Sequence, residues 1–332
     1  MPYLIDNQNT HDPGLNLALE EYCLRNLEGE KNYLLFYVNK PSVIVGRHQN
    51  ILEEINYRYV SENDIRVVRR ISGGGAVYHD YGNLNFSIIK NFNRFSLANI
   101  NKDLAPLLEA LKSLGVDADL NYRNGIEING QKISGTAQFS NTRRIVVHGT
   151  LLFDTDLDAL RNALNSKSNH IQSRALKSIR SPVGNLVENL TQPVDMDEFR
   201  QRLIAAMSGQ GDGLKKRHIS DRQWEQIHRL TQEKYNSWEW TWGNSPPYQI
   251  HKIDWFGPYR IETRMEVKKG QIEAIAIDTN ISANGIVAKL KAQLTGIHYE
   301  FSKIRDAITE VDLQSLTQHI SAGQLLNHLY QI

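Results

Sequence analysis

Two arginines, Arg69 and Arg70, run directly into Ile71-Ser72-Gly73-Gly74-Gly75-Ala76-Val77-Tyr78-His79-Asp80. Glycine has no Cβ, so three in a row let the backbone take positive φ and approach a ligand closely. Successive backbone N–H groups in such a turn can converge on an anion. A neighbouring guanidinium can grip a phosphate or carboxylate through two hydrogen bonds. The run reads as an anion cradle at a strand end. The competing reading is a mobile turn flanked by solvated arginines.

A second segment favours the cradle. Ile126-Glu127-Ile128-Asn129-Gly130-Gln131-Lys132-Ile133-Ser134-Gly135-Thr136-Ala137-Gln138 predicts a hairpin turning at Asn129-Gly130. It carries Lys132 into a run of small residues, which leaves room for a ligand. No persuasive enzyme nucleophile accompanies the two segments. Cys23 falls in an apolar helical pattern, which predicts a buried, inert thiol. There is no Gly-x-Ser-x-Gly elbow. Gly73-Gly74-Gly75 is not a Gly-x-Gly-x-x-Gly fingerprint, a strand rather than a helix is expected after it, and no Walker A run is present.

The elements that must position these residues follow from pattern. Asp12-Pro13-Gly14 predicts a capped helix start, with apolar positions at 15, 18, 19, 22 and 23. Short strands are expected at Leu34–Val38, Val43–Gly46 and Ile65–Val68, the last leading into the glycine run. Glu53–Glu62 reads as helical, and Ala76–His79 with Leu84–Ile89 reads as a hairpin around Tyr81-Gly82-Asn83. Asp103–Leu114 reads as a helix with Pro106 near its first turn, and Ile145–Phe153 as a strand. Asn165–Asn185, with Lys167, His170, Arg174, Lys177 and Arg180, reads as a basic surface loop or lid. Met196–Met207 and Asp221–Lys234 read as helices flanking the Gly209–Gly213 loop, and the alternating Trp238, Trp240 and Trp242 suggest an extended packing segment. Gly243-Asn244-Ser245-Pro246-Pro247 is the linker candidate. Beyond it, Tyr259–Lys268 and Gln271–Asp278 pair across Lys269-Gly270, and helices are expected near 284–294 and 321–330. The expected division is therefore a catalytic region at 1–245 and a small accessory domain at 246–332.

The two chemical segments resemble the signatures of the lipoate–protein ligases. That family shows Arg-Arg-x-Ser-Gly-Gly-Gly-Ala-Val and then an aromatic, His and Asp, complete here at 69–80 with Tyr78 as the aromatic. Its Lys-Ile/Val-Ser-Gly-Ser/Thr-Ala run stands at 132–137. Val45-Gly46-Arg47-His48-Gln49-Asn50 and His148-Gly149-Thr150-Leu151-Leu152 are similar to two further family pieces, in the same order. The resemblance extends over nearly the whole chain. It implies an α+β fold, with a large domain like class II aminoacyl-tRNA synthetases and biotin ligases and a small α+β C-terminal accessory domain. In the family that domain moves between adenylation and transfer.

The implied reaction has two steps. Lipoate attacks the α-phosphate of ATP to give lipoyl-AMP and pyrophosphate, and the ε-amine of a carrier-domain lysine then attacks the acyl carbon. Positioning and electrostatics carry such chemistry, and no enzyme nucleophile is needed. The resemblance assigns Lys132 as catalytic, in contact with both the lipoyl carbonyl and the phosphate. It assigns Arg70, Gly75, Ala76, Val77, Tyr78 and Lys132 to ATP and the adenylate. Ser72, Gly73, Gly74, His79, Lys132, Gly135 and His148 fall to the lipoate side, and Asn83 and Asn85 would orient the loop. His79 and His148 read equally well as hydrogen-bonded structural histidines. ATP and Mg²⁺ are the implied co-substrates. The implied acceptors are lipoyl domains of 2-oxoacid dehydrogenase E2 subunits and the glycine-cleavage H protein.

One departure stands out. The family commonly carries Asn-Asp where this chain has Asn124-Gly125, so a carboxylate for metal and nucleotide is missing. Glu127 lies nearby, though alternation along a strand need not turn it the same way. Mg²⁺ is still expected with ATP, held through phosphates. Two alternatives follow: a lipoyltransferase that uses preformed lipoyl-AMP, and a non-catalytic lipoate- or adenylate-binding protein. A thioester-forming transferase would need a cysteine near the motifs, and none lies there.

Composition bounds the rest. The 332 residues suit two domains. Lys+Arg is 38 and Asp+Glu is 37, so no global basic field exists for nucleic acid. One cysteine precludes an intramolecular disulfide and fits a reducing compartment. No apolar run approaches membrane-span length, and Met1-Pro2-Tyr3-Leu4-Ile5-Asp6 has neither a basic nor an apolar leader character. A cytoplasmic protein is the default expectation.

Overall fold

The computed structural model describes all residues except 1, 29–30, 93–99, 122–124, 165–168, 191, 209–213, 283, 312–319 and 331–332. Asn124, Lys167 and the Gly209–Gly213 loop of the sequence reading lie outside the described residues.

The chain begins with β1 (Tyr3–Ile5), α1 (Pro13–Asn26), β2 (Tyr33–Val38), β3 (Ser42–Val45), α2 (Ile51–Glu54), α3 (Tyr57–Glu62), β4 (Arg66–Arg69), β5 (Val77–His79) and β6 (Asn83–Asn91). There follow α4 (Ile100–Ser113), β7 (Asp119–Leu120), β8 (Ile126–Ile128), β9 (Gln131–Ser134), β10 (Thr136–Ser140), β11 (Arg144–Leu152), α5 (Leu157–Ala163) and β12 (Ile171–Ser173). The remainder is α6 (Met196–Ser208), β13 (Lys216–Arg217), α7 (Asp221–Leu230), β14 (Tyr248–Phe256), β15 (Tyr259–Lys268), β16 (Gln271–Thr279), α8 (Asn284–Leu294), α9 (Phe301–Thr309) and α10 (Ala322–Leu329).

These elements form two compact units. The first comprises Met1–Arg47, Asp64–Leu164 and Ser178–Ser237, and the second His48–Asn63, Asn165–Lys177 and Trp238–Ile332.

In the first unit a six-stranded sheet runs β10-β11-β6-β2-β1-β13. Its β10 to β2 half is antiparallel, and β2, β1 and β13 are parallel. Successive strand side chains point to opposite faces. Phe86 and Val147 accordingly enter a core with Leu104, Leu107, Leu111, Phe199 and Leu203 of α4 and α6. Their neighbours Ser87 and His148 turn instead toward α1, whose Glu20 bonds both. Asp12 caps α1 as expected, its carboxylate accepting from Leu15 N–H at 2.9 Å, with Pro13 in the first turn. Two small sheets, β4-β3-β5 and β7-β8-β9, carry the chemical segments. The β8–β9 hairpin turns through Asn129 at φ +49° and Gly130 at φ +77°, the left-handed pair an Asn-Gly turn requires.

The second unit is an antiparallel sheet, β12-β14-β15-β16. Ile250, Ile261, Met265 and Val267 share its core with Leu290, Leu294, Ile304, Leu325 and Leu329 of α8, α9 and α10.

Four local expectations are corrected. The hairpin expected from Ala76–His79 and Leu84–Ile89 does not form: β5 pairs with β3, and β6 with β2 and β11. The intervening turn is fixed elsewhere, because the Gly82 carbonyl accepts from the N–H groups of Phe153 and Asp154. Glu53–Glu62 is two short helices, since Asn56 caps a new start at Tyr57. Pro106 sits inside α4 rather than in its first turn, because the helix starts at Ile100. The tryptophan segment is a π-helical turn, Glu239–Gly243, not an extended strand. Trp238 stacks on His298 with centroids 3.9 Å apart, and it occupies the space a Cβ on Gly270 would need.

Candidate active site

The glycine run is a loop between β4 and β5, and Arg70 holds it from inside. Its guanidinium donates four hydrogen bonds: Nε to Ser72 Oγ at 2.9 Å, Nη1 to the Ile44 carbonyl at 3.1 Å, and Nη2 to the Gly73 and Gly75 carbonyls at 2.6 and 2.8 Å. Arg69 is wholly buried, and its Nη1 donates to the Gly46 and Arg47 carbonyls at 2.9 and 3.2 Å. Burial pushes the pKa of each arginine down to about 10, so both remain cations at neutral pH. Gly74 has φ +90°, a conformation that excludes ordinary side chains. A Cβ on Gly46 would lie 2.1 Å from the Gly74 carbonyl oxygen, so the two backbones touch only because Gly46 has none. Gly73 faces open space: nothing lies within 4 Å of a Cβ built on it. Ala76 N–H donates to Ser178 Oγ at 2.8 Å, while Val77 and Tyr78 sit in the β3–β5 ladder.

A buried polar chain runs from this loop into the fold. Ser72 Oγ lies 2.7 Å from His148 Nε2, and His148 Nδ1 lies 2.8 Å from Glu20 Oε1. Ser87 Oγ also donates to Glu20. The Arg70 Nε donor occupies one lone pair of Ser72, so the consistent arrangement has Ser72 O–H donating to His148 Nε2 and His148 Nδ1–H donating to the Glu20 carboxylate. Ser72 is fully buried and acts as a link, not as an exposed nucleophile.

The lysine strand meets the loop from the side. Lys132 Nζ and Val77 Cγ1 lie 3.2 and 3.8 Å from the position of a Cβ on Gly135, and Ala137 Cβ lies 3.8 Å from that on Gly74. The Lys132 backbone is clamped, its N–H donating to the Pro182 carbonyl at 2.9 Å and its carbonyl accepting from Gly184 N–H at 3.3 Å. Gly135 N–H donates to Thr150 Oγ1 at 3.1 Å, and its carbonyl accepts from Thr150 N–H at 3.1 Å. Ala137 pairs with His148 in the β10–β11 ladder. The structure thus brings Lys132, Gly135, Val77, the glycine loop and His148 into one neighbourhood.

His79 completes it. The ring is buried, and burial, then Arg70 and His148, push its pKa down to about 3. Its Nδ1 lies 3.0 Å from Asn39 Nδ2, and its Nε2 has no hydrogen-bond partner among the described residues. The Asp80 carboxylate accepts from the N–H groups of Gly82 and Asp156 at 3.0 and 2.8 Å, and burial raises its pKa. Asn85 donates to the Tyr37 carbonyl at 3.2 Å and accepts from Asn83 at 3.1 Å, which ties β6 to β2. Cys23 is buried as expected, with its thiol pushed up to about 12 by burial and by Glu20.

Sequence reasoning missed Glu20 and Asn39. Glu20 carries one signal: it lies three residues after Leu17 and four before Leu24, on the buried side of α1. Asn39 reads as a turn residue before Lys40-Pro41, and only its partners reveal a further use. Gly125 N–H donates to Asn121 Oδ1 at 2.9 Å, and Asn121 Nδ2 donates to Glu127 at 3.2 Å, so Glu127 is engaged in its own hairpin. Among the described residues no three His, Cys, Asp or Glu side chains converge as a metal site.

A family model described as the lipoyl protein ligase A/B catalytic domain matches residues 12–208, and one described as the bacterial lipoate protein ligase C-terminus matches residues 245–329. The chain is similar to the Bacillus subtilis lipoate-protein ligase LplJ, with 43% identity over 328 residues, covering 98% of this chain and 99% of that protein. It is similar to a crystal structure of lipoate-protein ligase A bound with ATP, with 28% identity and a TM-score of 0.64 over 74% of this chain and 100% of that one. A bi-partite lipoate protein ligase from Thermoplasma acidophilum, studied with its E2 lipoyl domain, gives 28% identity and a TM-score of 0.62 over 73% of this chain and 96% of that one.

Proposed function

The chain belongs to the lipoate–protein ligase family and is an enzyme of that class, and from that premise we propose how its residues divide the work. The protein activates lipoate with ATP to lipoyl-AMP and passes the acyl group to a lysine of a lipoyl domain. One observation carries the assignment of roles: a glycine loop fixed by a buried arginine lies beside a clamped lysine strand.

Lys132 is the cation that follows the reacting oxygens from carboxylate to adenylate, as a flexible ammonium can. Arg70 acts through the loop, because its donors are engaged by Ser72 and by the carbonyls of Ile44, Gly73 and Gly75. The backbone from Gly73 to Gly75 receives the anion, and the backbone of Ala76, Val77 and Tyr78 continues it along β5. Ser72 and His148 hold the loop against α1, and Gly135 leaves room for the Lys132 ammonium. The enzyme aligns and neutralises the charges, and the target amine and AMP perform the exchange.

Mg²⁺ accompanies ATP on its phosphates, where few protein ligands are required. Acceptors are the lipoyl domains of E2 subunits and the glycine-cleavage H protein. Residues 1–245 form the catalytic domain and 246–332 an accessory domain, a reading supported by the second family match at 245–329. A reducing cytoplasm suits a single buried cysteine. No helix among the described residues is long and apolar enough to cross a membrane.

Intact-mass measurement of an apo lipoyl domain tests this reading. Incubation with lipoate and Mg²⁺-ATP is expected to add one lipoyl group, as is incubation with presynthesised lipoyl-AMP. Modification by lipoyl-AMP alone would reduce the protein to a transferase, with Gly125 the first residue to examine. Modification by neither would overturn the assignment.

A further inference from the structure

The transfer step sets a reach. A carrier lysine brings its amine to the acyl carbon on a flexible four-carbon stem, so the carrier backbone must come close to Lys132 and the glycine loop. Residues 178–184, in the first unit, border both. At one end Ser178 Oγ accepts from Ala76 N–H at 2.8 Å and lies 2.9 Å from the position of a Cβ on Gly75. At the other end the Pro182 carbonyl accepts from Lys132 N–H at 2.9 Å, and Gly184 N–H donates to the Lys132 carbonyl at 3.3 Å. Val183 and Lys132 form a parallel bridge. A Cβ on Gly184 would meet Gln131 Oε1 at 2.6 Å, so the glycine lets the chain lie this close to β9.

Between these anchors Ile179, Arg180 and Ser181 are exposed. Ile179, at 65%, is more exposed than any other large apolar side chain among the described residues. A lone exposed aliphatic is ordinary, but this one stands on a backbone tied to both halves of the site. The charge around it is one-sided. Over the whole chain Lys+Arg and Asp+Glu nearly balance, at 38 and 37. From 159 to 187 the sequence has no Asp or Glu, yet it carries Arg161, Lys167, Arg174, Lys177 and Arg180. Acids outside that stretch answer two of these cations, Asp158 for Arg161 and Glu53 for Lys177. Arginine is enriched at protein interfaces, and complementary charge speeds encounter and fixes register. The partner that fits presents carboxylates around a small apolar contact.

We infer that residues 179–182 are a docking surface for the carrier protein: Ile179 packs against it, and Arg180 meets a carboxylate beside its target lysine. The occupant is a lipoyl domain with an acidic face around that lysine. The inference rests on the ligase reading of the same site. Neither Ile179 nor Arg180 is required for lipoyl-AMP formation, so the two half-reactions should separate.

Arg180→Glu and Ile179→Asp in the full chain test this, with pyrophosphate exchange and acyl transfer measured side by side. Each is expected to raise the KM for an apo lipoyl domain about 10-fold, as like charge set against an acidic face does, while lipoate-dependent exchange of labelled pyrophosphate into ATP stays within about 2-fold. In the wild type that KM should rise with salt, and Arg180→Ala should flatten the rise. Equal losses of exchange and transfer would place these residues over the nucleotide instead, and an unchanged KM for the lipoyl domain would exclude docking there; either overturns the proposal. Photo-crosslinking from benzoylphenylalanine at position 179 reads the contact without turnover, and it should capture the apo lipoyl domain next to its target lysine. Capture by a protein whose wild type exchanges no pyrophosphate would sink the ligase reading and leave the docking surface intact. Exchange without capture would do the reverse.

Discussion

Each of the two units contains a hydroxyl–histidine–carboxylate chain, with nearly equal hydrogen-bond lengths, though Glu20 is buried and Asp254 is partly exposed. In the first unit Ser72 Oγ, His148 and Glu20 are linked at 2.7 and 2.8 Å; in the second, Thr263 Oγ1, His328 and Asp254 are linked at 2.8 and 2.8 Å. What lies beyond the hydroxyl separates them. Ser72 also accepts from Arg70, which holds a loop whose Gly73 opens on empty space. Thr263 lies fully buried on β15, and His328 comes from α10, so that chain pins a helix to a sheet. A triad of distances is therefore no sign of catalysis. The first chain matters to chemistry because it ends on a loop that can meet a ligand.

Glycine pairs should expose this contrast most sharply. Gly46→Ala drives a Cβ to 2.1 Å from the Gly74 carbonyl oxygen and must displace the loop. A misplacement of about 1 Å is enough for a roughly 10²-fold loss of lipoyl-AMP formation. Gly270→Ala puts a Cβ 2.2 Å from Trp238 at φ +72°. It should lower stability by about 1–3 kcal/mol and leave the rate per folded molecule unchanged. Thermal melts beside a pyrophosphate-release assay would separate the two, and equal activity losses would erase the distinction.

The histidines give a smaller effect. His148→Ala and His328→Ala each strand a buried partner and should each reduce stability by about 1–3 kcal/mol in urea titrations. Only His148→Ala should also slow adenylate formation in protein that remains folded. A matching rate loss for His328→Ala would mean that the second chain also reaches the chemistry.

Acid sensitivity sharpens the electrostatic side. Burial holds His79 at about 3, below the usual 6.5, and lowers His328 as well. As pH falls below about 6.5 the unfolded chain binds these protons before the folded one, so stability present above that pH is lost toward pH 3. Unfolding free energy measured across this window should slope upward with pH, and His79→Gln should flatten the slope by at most one proton.

Much of this site was legible because its carriers are local. The Arg-Arg-Ile-Ser-Gly-Gly-Gly run, the Asn129-Gly130 turn and the Asp12-Pro13 helix start all act within a few residues, and short-range geometry dictates them. Glu20 and Asn39 act through partners 128 and 40 residues away, so pattern alone left Glu20 as a helix residue and Asn39 in a turn. The tryptophan segment misled for a similar reason. Alternation suggested a strand, but Gly270, 32 positions beyond Trp238 in a hairpin, made the space that a π turn fills. The Tyr81-Gly82-Asn83 turn was legible, but its strands' partners were not, since pairing is decided across sheets.

Lys132, beside the Arg70-held loop, is proposed to carry lipoate activation. Lipoate-dependent exchange of labelled pyrophosphate into ATP, measured for the wild type and for Lys132→Ala with melts recorded on both, tests it most directly. Exchange is expected from the wild type and a loss of about 10²–10³-fold from the variant, the scale of a removed electrostatic stabiliser, with an unchanged melting temperature. Exchange at the wild-type rate in folded Lys132→Ala would contradict it.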